Sequence, residues 1–296
     1  MRDSFSCYHP LVNLVFFAEV LGFAMFLLHP LCLAVSLLCG LAYALCLNGK
    51  KALGLCLKGI LPMMVFTALL NPVFNHEGAT ILAWLPSGNP LTLESILYGF
   101  AAAAMLAAVV LWFSCFNAVI TSDKFVYLFG RVIPALSLVL SMTLRFVPKF
   151  ISQLKVVSEA QRSLGRDVSD GTVLRRVKNA ITILSIMVTW SLENAIETAD
   201  SMRSRGYGLP GRTAFSIYRF DERDKTAFIW LCFCGFYIIA GWMSGGIDWR
   251  YYPTVKGALT GAFPISFQLV YLALCLTPVI LNRMEDRKWK HLRSET

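Results

Sequence analysis

The fold is decided by the stretch Ser95–Thr121, which reads SILYGFAAAAMLAAVVLWFSCFNAVIT. It runs for 27 residues without an Asp, Glu, Lys or Arg. A helix needs about 20 mostly apolar residues to cross the ~30 Å hydrocarbon core of a membrane. The stretch is therefore predicted to be a transmembrane helix.

Five further apolar runs lie on either side of this stretch: Leu11–Leu28, Leu31–Leu47, Gly59–Asn75, Thr226–Gly246 and Gly257–Leu281. They are continuous, whereas the strands of a membrane barrel alternate between apolar and polar residues. Hydrophobic residues make up 56% of the chain and charged residues 15%, against roughly 45–50% and 25% in an average globular protein. A soluble domain, a disordered chain and a small disulfide scaffold are thereby excluded. The prediction is an all-α polytopic membrane protein with about six transmembrane helices.

The basic residues predict the orientation of these helices. If Met1 is cytoplasmic, the outer segments hold only Arg250 and Lys256 of the 27 Lys and Arg residues. Basic residues accumulate in cytoplasmic loops, so both termini are predicted to be cytoplasmic. The net charge of +9 is thus first a topology signal. No nucleic-acid partner is expected, because aromatic residues do not alternate with the basic ones as they do on a stacking surface.

The chain between the fourth and fifth runs has a different character. Residues 122–225 contain two long amphipathic patterns, and their uncharged centres, Val132–Leu144 and Ala180–Leu192, have 13 residues each. At 1.5 Å per residue each covers only about 20 Å, too little to cross a bilayer. We therefore predict a cytoplasmic coupling domain of two long helices at 122–225. It separates N-terminal transmembrane helices at 1–121 from two further spans and a basic tail at 226–296.

Each long helix ends in a similar signature. The first closes on Ala160-Gln-Arg-Ser-Leu-Gly-Arg166 and the second on Met202-Arg-Ser-Arg-Gly-Tyr-Gly208. Glycine supplies the left-handed position that terminates a helix. An arginine in the last turn suits the negative helix end and can bind a carboxylate with two parallel hydrogen bonds. Both an ordinary helix cap and a docking tip fit this pattern.

With these stretches the chain resembles the transmembrane T component of energy-coupling factor (ECF) transporters, the EcfT/CbiQ-type family of prokaryotic micronutrient importers. The similarity runs from about Asn71 to Thr213, and the order and spacing of its motifs carry it. The similar stretches are Phe66–Pro72, Asn75–Thr80, Leu91–Glu94, Ser141–Pro148, Ala160–Arg162 and Ala199–Tyr207.

The resemblance implies that the two signatures insert into grooves of two ABC-type ATPases and that a separate substrate-binding membrane protein, the S subunit, docks on the apolar face. It places the ATPase-coupling residues at Ser204, Arg205, Gly206, Arg162, Ser163, Leu164 and Gly165. Residues expected to support the coupling helices are Arg145, Pro148, Ala160, Ala199, Asp200 and Met202, and those expected to contact the S subunit are Leu184 and Val188. Leu164 stands where the family carries arginine. Whether Arg162 or Arg166 makes the polar contact there, or apolar packing replaces it, stays open.

No metal, cofactor or catalytic site is predicted. Cys32, Cys39 and Cys46 recur on one helix face without a CxxC motif, which favours packing over metal binding. His76, Glu77 and Glu94 are scattered and typical of a solvated turn. Glu19 is a functional candidate because it lies within a span. The chain also lacks the GxxxxGK[ST] phosphate loop, so it should not hydrolyse ATP alone.

Three function classes remain open at this point. The resemblance favours the coupling subunit of a vitamin or metal-ion importer, in which ATP-driven motion of two ATPases reorients the S subunit. The alternatives are a stand-alone secondary transporter, which would use its own charges at the membrane midplane, and a membrane-embedded enzyme. Substrate flux by the chain alone would favour a carrier over the coupling subunit.

Overall fold

The computed structural model describes residues 3–84, 90–169, 171–209, 218–257 and 261–294. Its helices are α1 (Pro10–Phe26), α2 (Pro30–Asn48), α3 (Lys50–Leu55), α4 (Leu61–Phe74), α5 (Leu93–Val119), α6 (Ser122–Val132), α7 (Pro134–Ser163), α8 (Val173–Ser204), α9 (Glu222–Met243) and α10 (Ala262–Ser294). A 3-10 turn spans Phe5–Cys7, and the π-helical segment Cys56–Ile60 joins α3 to α4. Two short antiparallel pairs are formed by β1 (Ile81–Trp84) with β2 (Pro90–Thr92) and by β3 (Trp249–Arg250) with β4 (Lys256–Gly257).

The prediction of an all-α polytopic membrane protein is confirmed. Within the described residues, five helical stretches are long and apolar enough to cross a membrane: Pro30–Asn48, Lys50–Phe74, Leu93–Val119, Glu222–Met243 and Phe263–Glu285. Helix α1 is also apolar but has only 17 residues. The third span begins nearer the N-terminus than its apolar run, at Lys50, and α10 extends well beyond Leu281. A helix does not have to end where the apolar residues end, since backbone bonds within the helix are also satisfied in water.

The chain divides into two compact units. The described parts of Met1–Lys124 and Tyr218–Thr296 form one unit, and those of Phe125–Ile217 form the other. The first unit contains all the apolar spans, whereas the second contains α7 and α8. The assignment of the second unit to the cytoplasm stays a prediction.

Aromatic side chains fill the centre of the membrane unit. Trp112 of α5 is fully buried, and its ring packs edge-to-face on Phe16 of α1 with 5.8 Å between centroids. Its indole Nε1 donates a hydrogen bond of 3.1 Å to the hydroxyl of Ser36 on α2. Hydrogen bonds between helices are favoured in lipid, where no water competes for the donor. One indole thereby joins three helices.

The segment before α1 ties together one end of this unit. Asp3 accepts hydrogen bonds from Tyr43 of α2 and Asn282 of α10. The buried ammonium of Lys124 donates to the backbone oxygens of Ser6 and Val119. Burial lowers the pKa of Lys124. A few residues near the N-terminus therefore join α2, α5 and α10.

Candidate functional site

Helices α7 and α8 form the candidate coupling site. They have 30 and 32 residues, or about 45 and 48 Å of helix. Neither is among the stretches that could span a membrane. The described residues between them are 164–169 and 171–172, and side chains near the middle of one helix contact the middle of the other. The two helices therefore pack as an antiparallel pair.

Their two C-terminal ends have the same backbone geometry. At the first, the N–H groups of Gly165 and Arg166 donate to the oxygens of Arg162 and Gln161 at 2.9 and 3.0 Å. At the second, the N–H groups of Gly206 and Tyr207 donate to the oxygens of Arg203 and Met202 at the same distances. Gly165 and Gly206 have φ of 71° and 75°, which is the left-handed conformation of the Schellman motif. We call Ser163–Gly165 the first tip and Ser204–Gly206 the second tip.

The tips differ in the side chain that precedes the glycine. Leu164 and Arg205 have nearly identical backbone angles, φ −86° with ψ 7° and φ −84° with ψ 10°. Both side chains are exposed. The hydroxyls of Ser163 and Ser204 each donate to a backbone oxygen of their own helix. The equivalence of Leu164 and Arg205 that the sequence predicts is thus matched by their local geometry, while their role at an ATPase stays a prediction.

Asp167 organises the loop after the first tip. Its carboxylate accepts hydrogen bonds from the N–H of Ser169 at 3.1 Å and from the Ser169 hydroxyl at 2.8 Å. These bonds, aided by the nearby Arg162, hold the pKa of Asp167 below its ordinary value. Arg162 Nε lies 3.4 Å from Asp167 Oδ2, whereas Arg166 makes no ion pair within the described part of the chain. The two arginines beside this tip therefore have different surroundings.

Some of the residues predicted to support the coupling helices lie close to the tips, and others lie far from them. Ala160, Ala199 and Asp200 are exposed in the last two turns of their helices, and Met202 is half-buried there. Arg145 and Pro148 are exposed too, but they lie near the middle of α7. Arg145 precedes Arg162 by 17 residues, or about 25 Å of helix. The structure therefore does not bring Arg145 and Pro148 together with the first tip.

Leu184 and Val188 lie on the wall of an open apolar groove between α7 and α8. The groove has a volume of about 730 Å³, and the two side chains are 63% and 51% exposed. It is lined by Phe150, Ile151, Leu154, Ser158, Val168, Ala180, Ile183, Leu184, Met187, Val188, Ser191 and Leu192. An apolar surface left open in this way is typical of a binding site for another protein or for lipid.

Side-chain contacts lie near both ends of the groove. At one end, Lys149 Nζ donates to Asn194 Oδ1 at 2.7 Å and lies 5.5 Å from the centre of the Trp190 ring, which packs edge-to-face on Phe150. At the other end, Asn179 Nδ2 donates to the backbone oxygen of Asp167 at 2.8 Å. Sequence reasoning missed these pairs. Asn179 carries a signal, since it stands four and eight residues before Ile183 and Met187 and so shares their face.

Glu94, one of the polar residues considered for a metal site, has hydrogen-bond partners within the chain. The carboxylate of Glu94 is buried and accepts hydrogen bonds from the hydroxyl and the N–H of Thr80, whereas Glu77 is exposed. The described residues contain no group of three or more His, Cys, Asp or Glu side chains that could hold a metal ion. Glu94 therefore joins the first turn of α5 to Thr80.

Glu19 lies where α1 contacts α9. A Cβ atom at Gly235 would stand 2.6 Å from Glu19 Oε1, so a larger residue there would require the Glu19 carboxyl group to move. Glu19 Oε2 is buried and has no hydrogen-bond partner among the residues described. Sequence reasoning singled out Glu19, and the structure places it in a close helix contact.

Comparisons with known proteins bear on the whole arrangement. A family model described as cobalt transport protein, CbiQ, matches residues 6–215. The chain is 28% identical over 231 residues to the energy-coupling factor transporter transmembrane protein EcfT of Bacillus selenitireducens, covering 73% of this chain and 85% of the relative. It is 29% identical over 194 residues to EcfT of Lacticaseibacillus paracasei, covering 61% and 73%. The match to EcfT of Lactobacillus helveticus, 28% identical over 176 residues, covers 56% of this chain and 64% of that relative, just under two thirds of its length.

Proposed function

The chain belongs to the CbiQ family of cobalt transport proteins, and on that premise we propose that it is the transmembrane coupling subunit of an ECF-type importer. In this role it joins two ABC-type ATPases to a separate substrate-binding S subunit in the membrane. It is a transport subunit rather than an enzyme, and the ATPases supply the energy. The substrate class is a vitamin or a metal ion, carried by the S subunit.

The observation that carries this proposal is the pair of tips. Two long amphipathic helices end in the same Schellman geometry, and each presents an exposed side chain before its glycine. Two equivalent ends suit two similar partners, here the two ATPases. At the second tip, Ser204, Arg205 and Gly206 fit a groove with a carboxylate, because a guanidinium binds a carboxylate with two hydrogen bonds.

The first tip offers a different surface. Leu164 is 69% exposed and can contribute only apolar contact. Arg162 is paired with Asp167 within the chain, so we assign the polar contact of this tip to Arg166. Ser163 and Gly165 complete the tip. The two ATPases would therefore be held by unequal interfaces.

The groove and the exposed apolar stripe of α8 provide the surface for the S subunit. Leu184 and Val188 belong to both. When the ATPases close on ATP they move the tips, α7 and α8 transmit this motion, and the S subunit reorients to release its substrate inward. Arg145, Pro148, Ala160, Ala199, Asp200 and Met202 would support the helices that carry the motion.

The membrane is the plasma membrane of a prokaryote, with both termini and the coupling helices in the cytoplasm. The distribution of basic residues supports this orientation, because the outer segments hold only Arg250 and Lys256 of the 27 Lys and Arg residues. The partners are thus two cytoplasmic ATPases, one membrane protein and the lipid bilayer.

Purification of the full-length chain from its native membrane tests the proposal. Mass spectrometry should identify two ABC-type ATPases and a small apolar membrane protein in the purified complex. In proteoliposomes, uptake should require the complete complex and ATP. Substrate flux through vesicles that contain this chain alone would overturn the proposal in favour of a secondary transporter.

A further inference from the structure

The loop that follows the first tip is folded into a small cap. The carboxylate of Asp167 binds the N–H and the hydroxyl of Ser169 and lies 3.4 Å from Arg162 Nε. Arg162 belongs to the last turn of α7, whereas Asp167 and Ser169 follow the tip. The end of α7, the tip and the loop are therefore joined by side-chain bonds as well as by the backbone.

Asn179 attaches this cap to α8. It is only 8% exposed, although an amide usually lies at the protein surface. Its Nδ2 donates to the backbone oxygen of Asp167 at 2.8 Å. A buried amide that loses its partner is left with an unsatisfied donor, so this contact is strongly favoured over separation.

The same face of α8 forms the inner wall of the groove. Ile183 and Met187 follow Asn179 by four and eight residues, and both are buried groove-lining residues. Residues at this spacing lie one above the other on a helix. Asn179 therefore stands in line between the cap at the first tip and the groove wall.

We propose that Asn179 is a positioning residue that passes displacement of the first tip to α8, so that one ATPase moves both walls of the groove together. Without this contact the first tip would be joined to the start of α8 only through the loop backbone, and this end of the groove would change its width instead of moving as a unit. The inference rests on the proposed function, in which the tip is displaced by an ATPase.

The test uses the complete complex with its ATPases and S subunit in proteoliposomes. Nitroxide labels on encoded unnatural residues replace the exposed Lys155 of α7 and the exposed Ser185 of α8. In the parent chain, ATP should leave the distance between the labels nearly unchanged. In Asn179→Leu the distance should shift and broaden with ATP, and ATP consumed per substrate transported should rise by about 2- to 30-fold, the range typical of residues that couple two sites.

Three variants make the result specific. Asn179→Gln keeps the amide donor and should restore much of the parent behaviour. Thr182→Val removes a hydroxyl that donates only to Lys178 O of the same helix and should change nothing. Ser169→Ala lies on an exposed loop, so it leaves the complex folded, and should give a smaller shift in the same direction as Asn179→Leu.

The inference is overturned if Asn179→Leu assembles and responds to ATP like the parent, or if Thr182→Val gives an equal shift. If Asn179→Leu does not assemble, Ser169→Ala decides, and parental behaviour of that variant also overturns it. Failure of the proposed function looks different, because the parent chain itself would then capture no ATPase and show no response to ATP.

Discussion

Leu164 and Arg205 occupy equivalent positions in two helix ends that share the same backbone hydrogen bonds. Geometry therefore does not distinguish the tips, and any difference in how they bind must come from the side chains. A guanidinium can bind a carboxylate with two hydrogen bonds, which the point charge of lysine does not reproduce. A leucine offers only contact area, worth roughly 1.5–3 kcal/mol when fully buried.

We therefore expect Arg205→Ala to loosen the ATPase complex and uncouple ATP hydrolysis from uptake, with Arg205→Lys repairing it only in part. Removing one side of a desolvated charge pair costs about 2–5 kcal/mol, because the other charge stays buried without compensation. Leu164→Ala should do less, and Leu164→Arg should be tolerated if an acidic residue lies in that groove. The measurement is the amount of ATPase that co-purifies with each full-length variant, together with transport in proteoliposomes.

Arg162→Ala and Arg166→Ala serve as a matched pair beside the first tip. Arg166→Ala should weaken ATPase capture more than Arg162→Ala, since Arg162 already contacts Asp167 within the chain.

The prediction for the second tip has its own contrary outcome. If Arg205→Ala gives the complex yield and transport of the parent chain, the second tip is an ordinary helix cap.

At this scale the sequence predicts the caps but not their neighbours. A glycine after an amphipathic run is a local signal, so Gly165 and Gly206 could be placed at the helix ends in advance. The pairing of Asp167 with Arg162 and Ser169 depends on how the loop folds back, and the bond from Asn179 depends on how α8 packs against it. Neither contact can be predicted from the local spacing of residues.

At the scale of elements, the two long helices could be predicted closely because a period near 3.6 is local information. Helix α8 runs over Val173–Ser204 and includes the whole uncharged centre Ala180–Leu192. The face that packs within the chain was not predicted. Asn179, Ile183 and Met187 are buried, whereas Leu184 and Val188, the residues expected on the apolar face, remain exposed. An amphipathic pattern shows that a face will be covered, but not whether the chain itself or a partner covers it.

Leu184→Asp or Val188→Asp should weaken capture of the S subunit and leave ATPase binding largely intact. Burying a charge against an apolar partner without a counter-ion costs about 3 kcal/mol or more. Ser185→Asp adds the same charge to an exposed neighbouring position and should change little. Co-purification of the S subunit measures the effect, and undiminished capture by a folded Leu184→Asp complex would contradict the assigned surface.

Lys149→Met should loosen the contact between α7 and α8 at its exposed end. The variant keeps an unbranched side chain only one atom shorter but loses the bond to Asn194 and the attraction to the Trp190 ring. Together these are worth about 1–3 kcal/mol. Hydrogen exchange of the amides around Trp190 in the full-length protein should become faster, whereas Lys155→Met, on the same helix and exposed, should leave it unchanged. Equal hydrogen-exchange rates in the two variants would contradict a stabilising role for Lys149.

At the scale of the whole molecule, the apolar spans could be predicted because hydrocarbon thickness fixes their length. The contacts that join their ends could not. Asp3 and Asn282 lie 279 residues apart in the chain, yet they form a hydrogen bond. Lys124, the last residue of the membrane unit before the coupling helices, is held by the N-terminal segment. Such pairs follow from the three-dimensional arrangement of the helices and cannot be predicted from residue spacing in the sequence.

Orientation belongs to this scale as well, because it depends on the summed charge of all the loops rather than on any single site. Single cysteines replacing Glu77 and Ser169, both exposed, should react with a membrane-impermeant maleimide from opposite sides in a background without the nine native cysteines. Residue 77 belongs to a segment without Lys or Arg and should react in intact cells. Residue 169 lies between clusters of basic residues and should react only after the membrane is opened, since basic loops are retained in the cytoplasm. Arg250→Cys, in the other predicted outer segment, should behave like residue 77. Reaction of positions 77 and 169 from the same side would contradict the orientation and, with it, the assignment of the tips to cytoplasmic ATPases.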